Sequence, residues 1–547
     1  MRLTRRKMLG AAGLSATALL TAWGRSAGGP LGLETASAAT PGPRTGGTLV
    51  LATQAQGGSL DPGTNSDGNG WEKLLAVYDP LVRIKSITPA ALSAGTPLGT
   101  VEPWLAQSWR VSPDGLTWTF SLRQGVQFHD GTPLNAEAVI VNIDRYLNPK
   151  NPYYYAGRMV NAQFLYSALE SYRAVDPNTV ELKLKQRSAP LLRNLANPTA
   201  TVASPDALKK YGQDLANHPV GSGPFRVVEM APDDHVTLER NPSWWGGKVY
   251  LDRVIFRTVP EASTRLVMLQ KGEAQFIEAP SPDDIAKIKT DPAMQILQAP
   301  GGMNAVYMQN SKPPFTDVRV RQALNYAVNK DEINGQLFKG LGRVANSPMP
   351  PSYAEYDPTL KPYPYDPQRA KAMLSAAGFP KGFAVRLMTY NTTQAFNPAG
   401  GVPFAEAIQQ YLSQVGVSVT IDAVELGAWS TRRLSGDFEM ACAGWFGTNL
   451  DPDGYFFPAF HSSQIPGRNS AQVRDAALDK MLLDAQQQYD PKQRAAMYRQ
   501  IQQYLMVSAP WIYVNVPSIL NGATRSLNNL ELYYLFIRDP MQAWLSA

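Results

Sequence analysis

The chain holds a single cysteine, Cys442, so no intrachain disulfide can form. Its neighbours Met440, Ala441 and Ala443 are apolar, which argues for a buried thiol rather than a reactive thiolate. Histidine is almost as scarce. His129, His218, His235 and His461 are the full set, and no two of them have metal-ligand spacing. His129, inside Phe128-His129-Asp130-Gly131, reads as a turn hydrogen-bonder. Gly-x-Ser-x-Gly, Ser-x-x-Lys and His-Glu-x-x-His are all missing, which removes the common hydrolase signatures. No catalytic residue, metal site or cofactor is expected, and a secreted hydrolase or a structural surface protein remains only as the rival from another class. Beyond the N-terminal segment no apolar run reaches about 18 residues, so a second membrane span is not expected.

The chain also lacks a basic cluster interleaved with aromatics. Its formal charge of +6 falls mostly in the first 38 residues, where Arg2, Arg5, Arg6, Lys7 and Arg25 outweigh Glu34. The remainder is close to neutral, which excludes a nucleic-acid binder. Thr4-Arg5-Arg6-Lys7-Met8-Leu9 precedes a weakly apolar stretch to Trp23 and resembles a twin-arginine export signal. Ala36-Ser37-Ala38 fits a small-x-small cleavage site, so residues 1–38 are expected to be removed. Leu20-Thr21-Ala22 is followed by Trp23, not cysteine, so a lipid anchor there is excluded. The expected location is extracytoplasmic.

What is present is a long mixed chain. At 547 residues it exceeds one core. Alternating runs such as Thr48–Leu51, Trp118–Leu122 and Val180–Leu184 predict strands. Val126–Pro133 predicts another strand and turn. Asn135, Asp317, Asp366-Pro367 and Asp490-Pro491 predict helix starts, the last two with proline at the first helical position. Helices and strands interleave throughout, so the class is α/β. Phe438–Phe446 is apolar apart from Glu439 and predicts a mostly buried strand. Gly447–Gly454 collects turn residues, with Asp451 and Asp453 among them, and Tyr455, Phe456 and Phe460 come next. Two readings of this stretch stay open: a core strand with a surface turn, or the wall of a ligand cleft.

Several segments occur in one order. They are Leu105-Ala106-Gln107-Ser108-Trp109, Phe120 to Leu134, Gly221-Ser222-Gly223-Pro224-Phe225, Arg240-Asn241-Pro242-Ser243-Trp244-Trp245, Pro314 to Leu324 and Tyr365 to Ala370. Together with the Trp445 stretch they resemble the extracytoplasmic solute-binding proteins of ABC importers, family 5, the oligopeptide/dipeptide/nickel-binding group. The resemblance implies a two-lobed periplasmic-binding-protein-like fold of type II with an extra inserted domain. Lobe one would comprise residues 39–80, 220–305 and 509–547, the inserted domain 81–219 and lobe two 306–508. Two crossings, near Val306 and Ala509, would form a hinge that closes on a solute. The partners implied are a peptide or similar polar solute and a membrane permease with its ATPase; the receptor would act as a monomer.

The resemblance also implies a site. It would take Gly444, Trp445, Phe446, Thr448, Asn449, Asp451 and Tyr455 from lobe two. Gln54 and Asn65 would come from lobe one, Tyr155 from the inserted domain, and Met303 and Asn304 from near the hinge. Family members often read Trp-x-Ala/Gly-Asp, where the Asp meets a peptide ammonium; here Thr448 stands in that place. Asp451 and Asp453 are the candidate substitutes, and an oligosaccharide or other non-peptide metabolite is the rival solute. The motifs at Phe128–Pro133 and Gly221–Phe225 are expected to define turns of the fold.

Overall fold

Two β-sheets, each assembled from strands far apart in the chain, carry the architecture. The computed structural model describes residues 42–65, 68–85, 99–299, 301–394, 396–447, 449–532 and 537–546. The export-signal expectation therefore lies outside the described residues. In the first sheet the strand order is Met294–Ala299, Ile519–Thr524, Phe276–Ile277, Thr48–Thr53, Arg253–Thr258, His235–Arg240, Phe225–Ala231. In the second it is Gly342–Val344, Trp511–Pro517, Met303–Met308, Met440–Trp445, Ala384–Tyr390, Ser418–Val424. The two lobes are these sheets with their helices, and they pack within one compact unit, Pro43–Ala547.

The second sheet explains the unbroken apolar run at its centre. Met440 and Cys442 face one core cluster, and Ala441, Ala443 and Trp445 face another. A strand covered on both sides needs apolar residues at every position, not at alternate ones. Cys442 is buried there and its thiol is pushed up to about 12 by burial.

A four-stranded antiparallel sheet forms the inserted domain, in the order Ala106–Val111, Thr117–Leu122, Thr179–Leu184, Leu169–Asp176. Thr179–Leu184 buries every second residue against a separate core that includes Phe120 and Ile143. The helix Ala136–Leu147 starts where Asn135 accepts the Ala138 amide at 3.0 Å. The strand expected at Val126–Pro133 reduces to one bridge between Gln127 and Pro133. His129 ties this turn to lobe one: its amide donates to Gly221 O at 2.7 Å and its Nε2 lies 3.0 Å from Gly223 O.

The shared motifs converge on one buried carboxylate. Asp79 accepts from Trp104 Nε1 at 2.7 Å, Ser222 Oγ at 2.8 Å and Trp245 Nε1 at 2.9 Å. Glycine at 221 and 223 lets the segment before the Phe225 strand lie against Val77, since a Cβ at either position would sit within 2.6 Å of Val77 backbone atoms. These motifs hold lobe one to the inserted domain.

The change of sheet falls at two places, between Ala299 and Met303 and between Pro517 and Ile519. Crossings were expected near Val306 and Ala509. Val306 instead pairs in mid-strand with Cys442 and Ile512, and Ala509 ends the helix Pro491–Ser508 before the Trp511 strand begins. The two crossings touch: a Cβ on Gly301 would stand 1.8 Å from Pro517 O.

Three helices share one start. Asp366, Asp451 and Asp490 each accept an amide of the first turn at 2.8 Å, and proline follows each as the first helical residue. The middle one corrects the turn expected over Gly447–Gly454, because Pro452–Phe460 is a helix and Tyr455, Phe456 and Phe460 belong to it.

Candidate functional site: the interlobe cleft

The sheet pairing brings expected site residues from two stretches together. Met303 is in register with Trp445, and Asn304 with Gly444 on one side and Asn515 on the other. Trp445 is 9% exposed; its indole donates to Tyr455 O at 2.7 Å and its ring meets Tyr455 and Trp511 edge-on. It therefore supports the strand end from within the lobe-two core. Gly444 faces the other way, where a Cβ would sit 2.1 Å from the Phe396 ring. Met303 and Tyr455 are fully buried, and the Tyr455 hydroxyl has no partner among the described residues. Asn304 is also fully buried, with neither its Nδ2 nor its Oδ1 bonded to a described residue.

After Trp445 the chain reaches across to the other parts of the molecule. Phe446 packs against the cores of both lobes. Thr448 lies outside the described residues. Asn449 donates to Asn194 Oδ1 at 2.5 Å, and Leu450 O accepts from Arg193 Nη1 at 2.9 Å. Leu450 has φ 54°, a conformation that costs a non-glycine residue about 1 kcal/mol and that the Arg193 bond helps to hold. The sequence contained no cue for Arg193 or Asn194, because their role depends on contacts 255 or more residues away.

Asp451 and Asp453 sit side by side in opposite electrostatic states. Arg494 grips Asp451 with two bonds, at 2.6 and 3.0 Å, and Arg193 reaches it at 3.4 Å. Burial works to raise the Asp451 carboxyl, but the two guanidinium groups outweigh it and hold it below the ordinary range. Asp453 is met by the Gln486 amide, at 3.2 Å from both oxygens; burial and the neighbouring Asp451 charge push it up to about 7. Asp451 is thus engaged by arginine, and Asp453 is fully enclosed and only about half ionised at pH 7. Neither presents an open anion to a ligand ammonium in this arrangement.

One cavity adjoins this stretch and a second lies beside the crossings. The first, of about 30 Å³, is lined by Trp71 of the first lobe, by Ile84, Arg193 and Asn197 of the inserted domain, and by Asn449 and Leu450. The second has a volume of about 230 Å³. It joins Gln54, Glu261 and Glu278 on one side to Thr393 and Gln394 on the other, with Ser518 between them. Gln54 therefore lies in the cleft, exposed, its amide donating to Glu278 Oε2 at 2.9 Å. Asn65 is buried, donating to Ser59 O at 2.6 Å and accepting from Asn161 at its carbonyl. Tyr155 packs on the inserted-domain core with Arg158 over its ring. Asn65 and Tyr155 line neither cavity. No group of three or more metal-ligating side chains occurs among the described residues.

With this geometry in hand, residues 100–467 match the model of bacterial extracellular solute-binding proteins, family 5. The chain belongs to that family. The binding protein is 35% identical over 431 residues to heme-binding protein A of Haemophilus influenzae, covering 76% of this chain and 78% of the relative. It is 32% identical over 515 residues to the dipeptide-binding protein of Escherichia coli, covering 90% and 92%. Among solved structures, the ABC transporter-associated periplasmic binding protein DppA of Helicobacter pylori, in complex with peptide STSA, superposes with a TM-score of 0.81. That pair shares 29% identity over 92% of this chain and 99% of the other. The binding protein is thus an extracytoplasmic solute receptor of an ABC importer and not an enzyme. No helix among its described residues is long and apolar enough to cross a membrane.

Proposed function

We propose that the protein captures a peptide or similar small polar solute between its two lobes and hands it to the permease in the closed form. The division is lobe one, inserted domain and lobe two, with the hinge at 299–303 and 517–519. The observation that carries the reading is the pair of crossings: two separately cored sheets exchange the chain there, and a cleft with polar walls opens beside the joint. Two strands permit rotation of one lobe on the other with little loss of packing. Export by the twin-arginine route, with cleavage after Ala38, completes the proposal.

Mass spectrometry of solute released from the purified mature protein tests it, combined with thermal stabilisation by that solute. A bound solute at 100 times its Kd adds about 2.7 kcal/mol of stability. A protein that releases no solute and shows no thermal response to small peptides would overturn the reading.

A non-peptide solute is the second reading, favoured by Thr448 and by the engagement of Asp451 with Arg494. An ammonium buried without an anion costs several kcal/mol. Thr448→Asp is expected to tighten binding of a free-amine peptide about tenfold if such a peptide is the solute. Unchanged affinity for the free-amine and N-acetylated forms would favour the rival.

A further inference from the structure

One aromatic ring of lobe two is seated against the core of the inserted domain. The lobe-two helices Ala476–Gln487 and Pro491–Ser508 are joined by three residues, and Tyr489 is the middle one. Asp490 after it accepts the Gln493 amide at 2.8 Å, which caps the second helix and fixes the direction of the turn. The Tyr489 ring packs beside the buried Trp118 of the inserted domain, edge-on, with centroids 5.9 Å apart. The Arg187 guanidinium lies over it at 4.5 Å. The Tyr489 hydroxyl donates to Gly115 O at 2.8 Å and accepts from the Ser188 amide at 3.2 Å. Next to it the Ala189 amide donates to Gln486 O at 2.8 Å. Gly115, in a turn at φ 79°, leaves the ring its place, since a Cβ there would stand 2.7 Å from it.

These contacts span the joint between the lobes. His129 and the Asp79 cluster tie the inserted domain to lobe one, whereas Tyr489 belongs to lobe two. Rotation about the crossings at 299–303 and 517–519 therefore parts Tyr489 from Gly115 and Ser188. The Arg193–Leu450 and Asn449–Asn194 bonds part with them. Tyr489 lines neither of the two cavities, so its seat depends on where lobe two stands and not on what fills the cleft. The size of the contact suits one that forms and breaks. It is one ring, two hydrogen bonds to its hydroxyl and one backbone bond beside it, each of modest net worth in water.

We propose that Tyr489 is a latch of the closed form, and that the inserted domain is the surface on which lobe two lands as the cleft shuts. A contact made only in the closed form raises the closed fraction whatever the solute. Apparent affinity scales with that fraction, so the latch sets how tightly every solute is held without choosing among solutes. Discrimination stays with the residues of the cleft. The inference rests on the solute-receptor reading above, and it gives the inserted domain a part in that reading.

The test uses the mature protein with two variants: Tyr489→Phe, which loses both hydroxyl bonds, and Tyr489→Ala, which loses the ring as well. The first readout is hydrogen exchange of the solute-free proteins, resolved to single amides by mass spectrometry with electron-transfer fragmentation. The Ala189 amide is the reporter, because its acceptor is Gln486 O and neither variant removes it. Its exchange is expected to rise about tenfold in Tyr489→Ala and less in Tyr489→Phe, while the strand Thr179–Leu184 stays protected. A rise confined to Ser188 would mark a local bond only and overturns the latch. An Ala189 amide that is as protected as the strand in all three proteins overturns it too, since the two parts then never separate. In the second readout, tri-alanine and alanyl-leucine are titrated by calorimetry. Tyr489→Ala is expected to weaken both by the same factor, about tenfold. Unequal losses would make Tyr489 a solute contact and sink the latch. Peptides that bind all three proteins equally would retain the receptor reading and sink the latch. If neither peptide binds the wild type, the peptide reading falls and the exchange of Ala189 decides the latch. Should Tyr489→Ala not fold, Tyr489→Phe carries both readouts.

Discussion

Asp451 and Asp453 are two positions apart on one helix start, yet one is held ionised and the other is about half protonated at pH 7. The difference is the placement of Arg494, which bonds Asp451 and leaves Asp453 to an amide. For Asp453 the folded-state carboxyl titrates near 7, above its unfolded value of 3.8. Between those pH values the native protein holds a proton that the unfolded chain releases, so this site's contribution to stability falls as pH rises through the window. Asp453→Asn is expected to flatten that slope and to stabilise the protein by about 1–3 kcal/mol at pH 7.5. Thermal midpoints of the two proteins from pH 4 to about 8 measure it, and parallel curves would refute it. Arg494→Met leaves Asp451 buried without its main partner and is expected to cost about 3–5 kcal/mol. Urea unfolding reads this directly; a loss below about 1 kcal/mol would show that the pair is nearly neutral in net effect. None of these charge states was legible in the chain, where Arg494 lies 43 positions from Asp451.

Elements were more legible than charges. Among the described residues three Asp-Pro pairs start α-helices, and two were readable because a clean apolar stripe comes after them. Asp451-Pro452 was not, because Gly454 and four aromatic residues replace the stripe in a helix that is buried on all sides. Asp490→Ala removes a side-chain acceptor from the exposed start of the helix Pro491–Ser508 and is expected to cost about 1 kcal/mol. Chemical denaturation checks it, and an unchanged midpoint would mean that tertiary packing alone holds that end. The central strand was readable for the opposite reason: burial on two faces writes itself as an apolar run. Its second open reading, the cleft wall, depended on the residues beyond Trp445. Trp445 itself stays in the core, while Phe446, Asn449 and Leu450 make the contacts across to the other parts.

At the scale of the molecule the joint between the sheets decides what the protein can do. Gly301 lies against Pro517 with no room for a side chain. Gly301→Ala is expected to separate the two crossings and to reduce the stabilisation by the co-purified solute, while the far-ultraviolet circular dichroism spectrum is retained. A wild-type thermal shift in that variant would place the hinge elsewhere. The ordered family motifs made the lobes foreseeable, but the crossings fell a few residues from the expected positions. Sheet pairing, not composition, decides where a strand changes company: residues 303–308 and 511–517 complete the second sheet before the chain turns back.

By itself the sequence determined the class of the protein, its strands and capped helices, and the lack of the common hydrolase signatures, because periodicity, capping and missing residue types are local properties. Only the tertiary structure decided which charges meet. Asp79 with Trp104, Ser222 and Trp245, and Asp451 with Arg494 and Arg193, are pairings across long stretches of chain. Burial makes each of these energies large, and burial is a property of the folded whole.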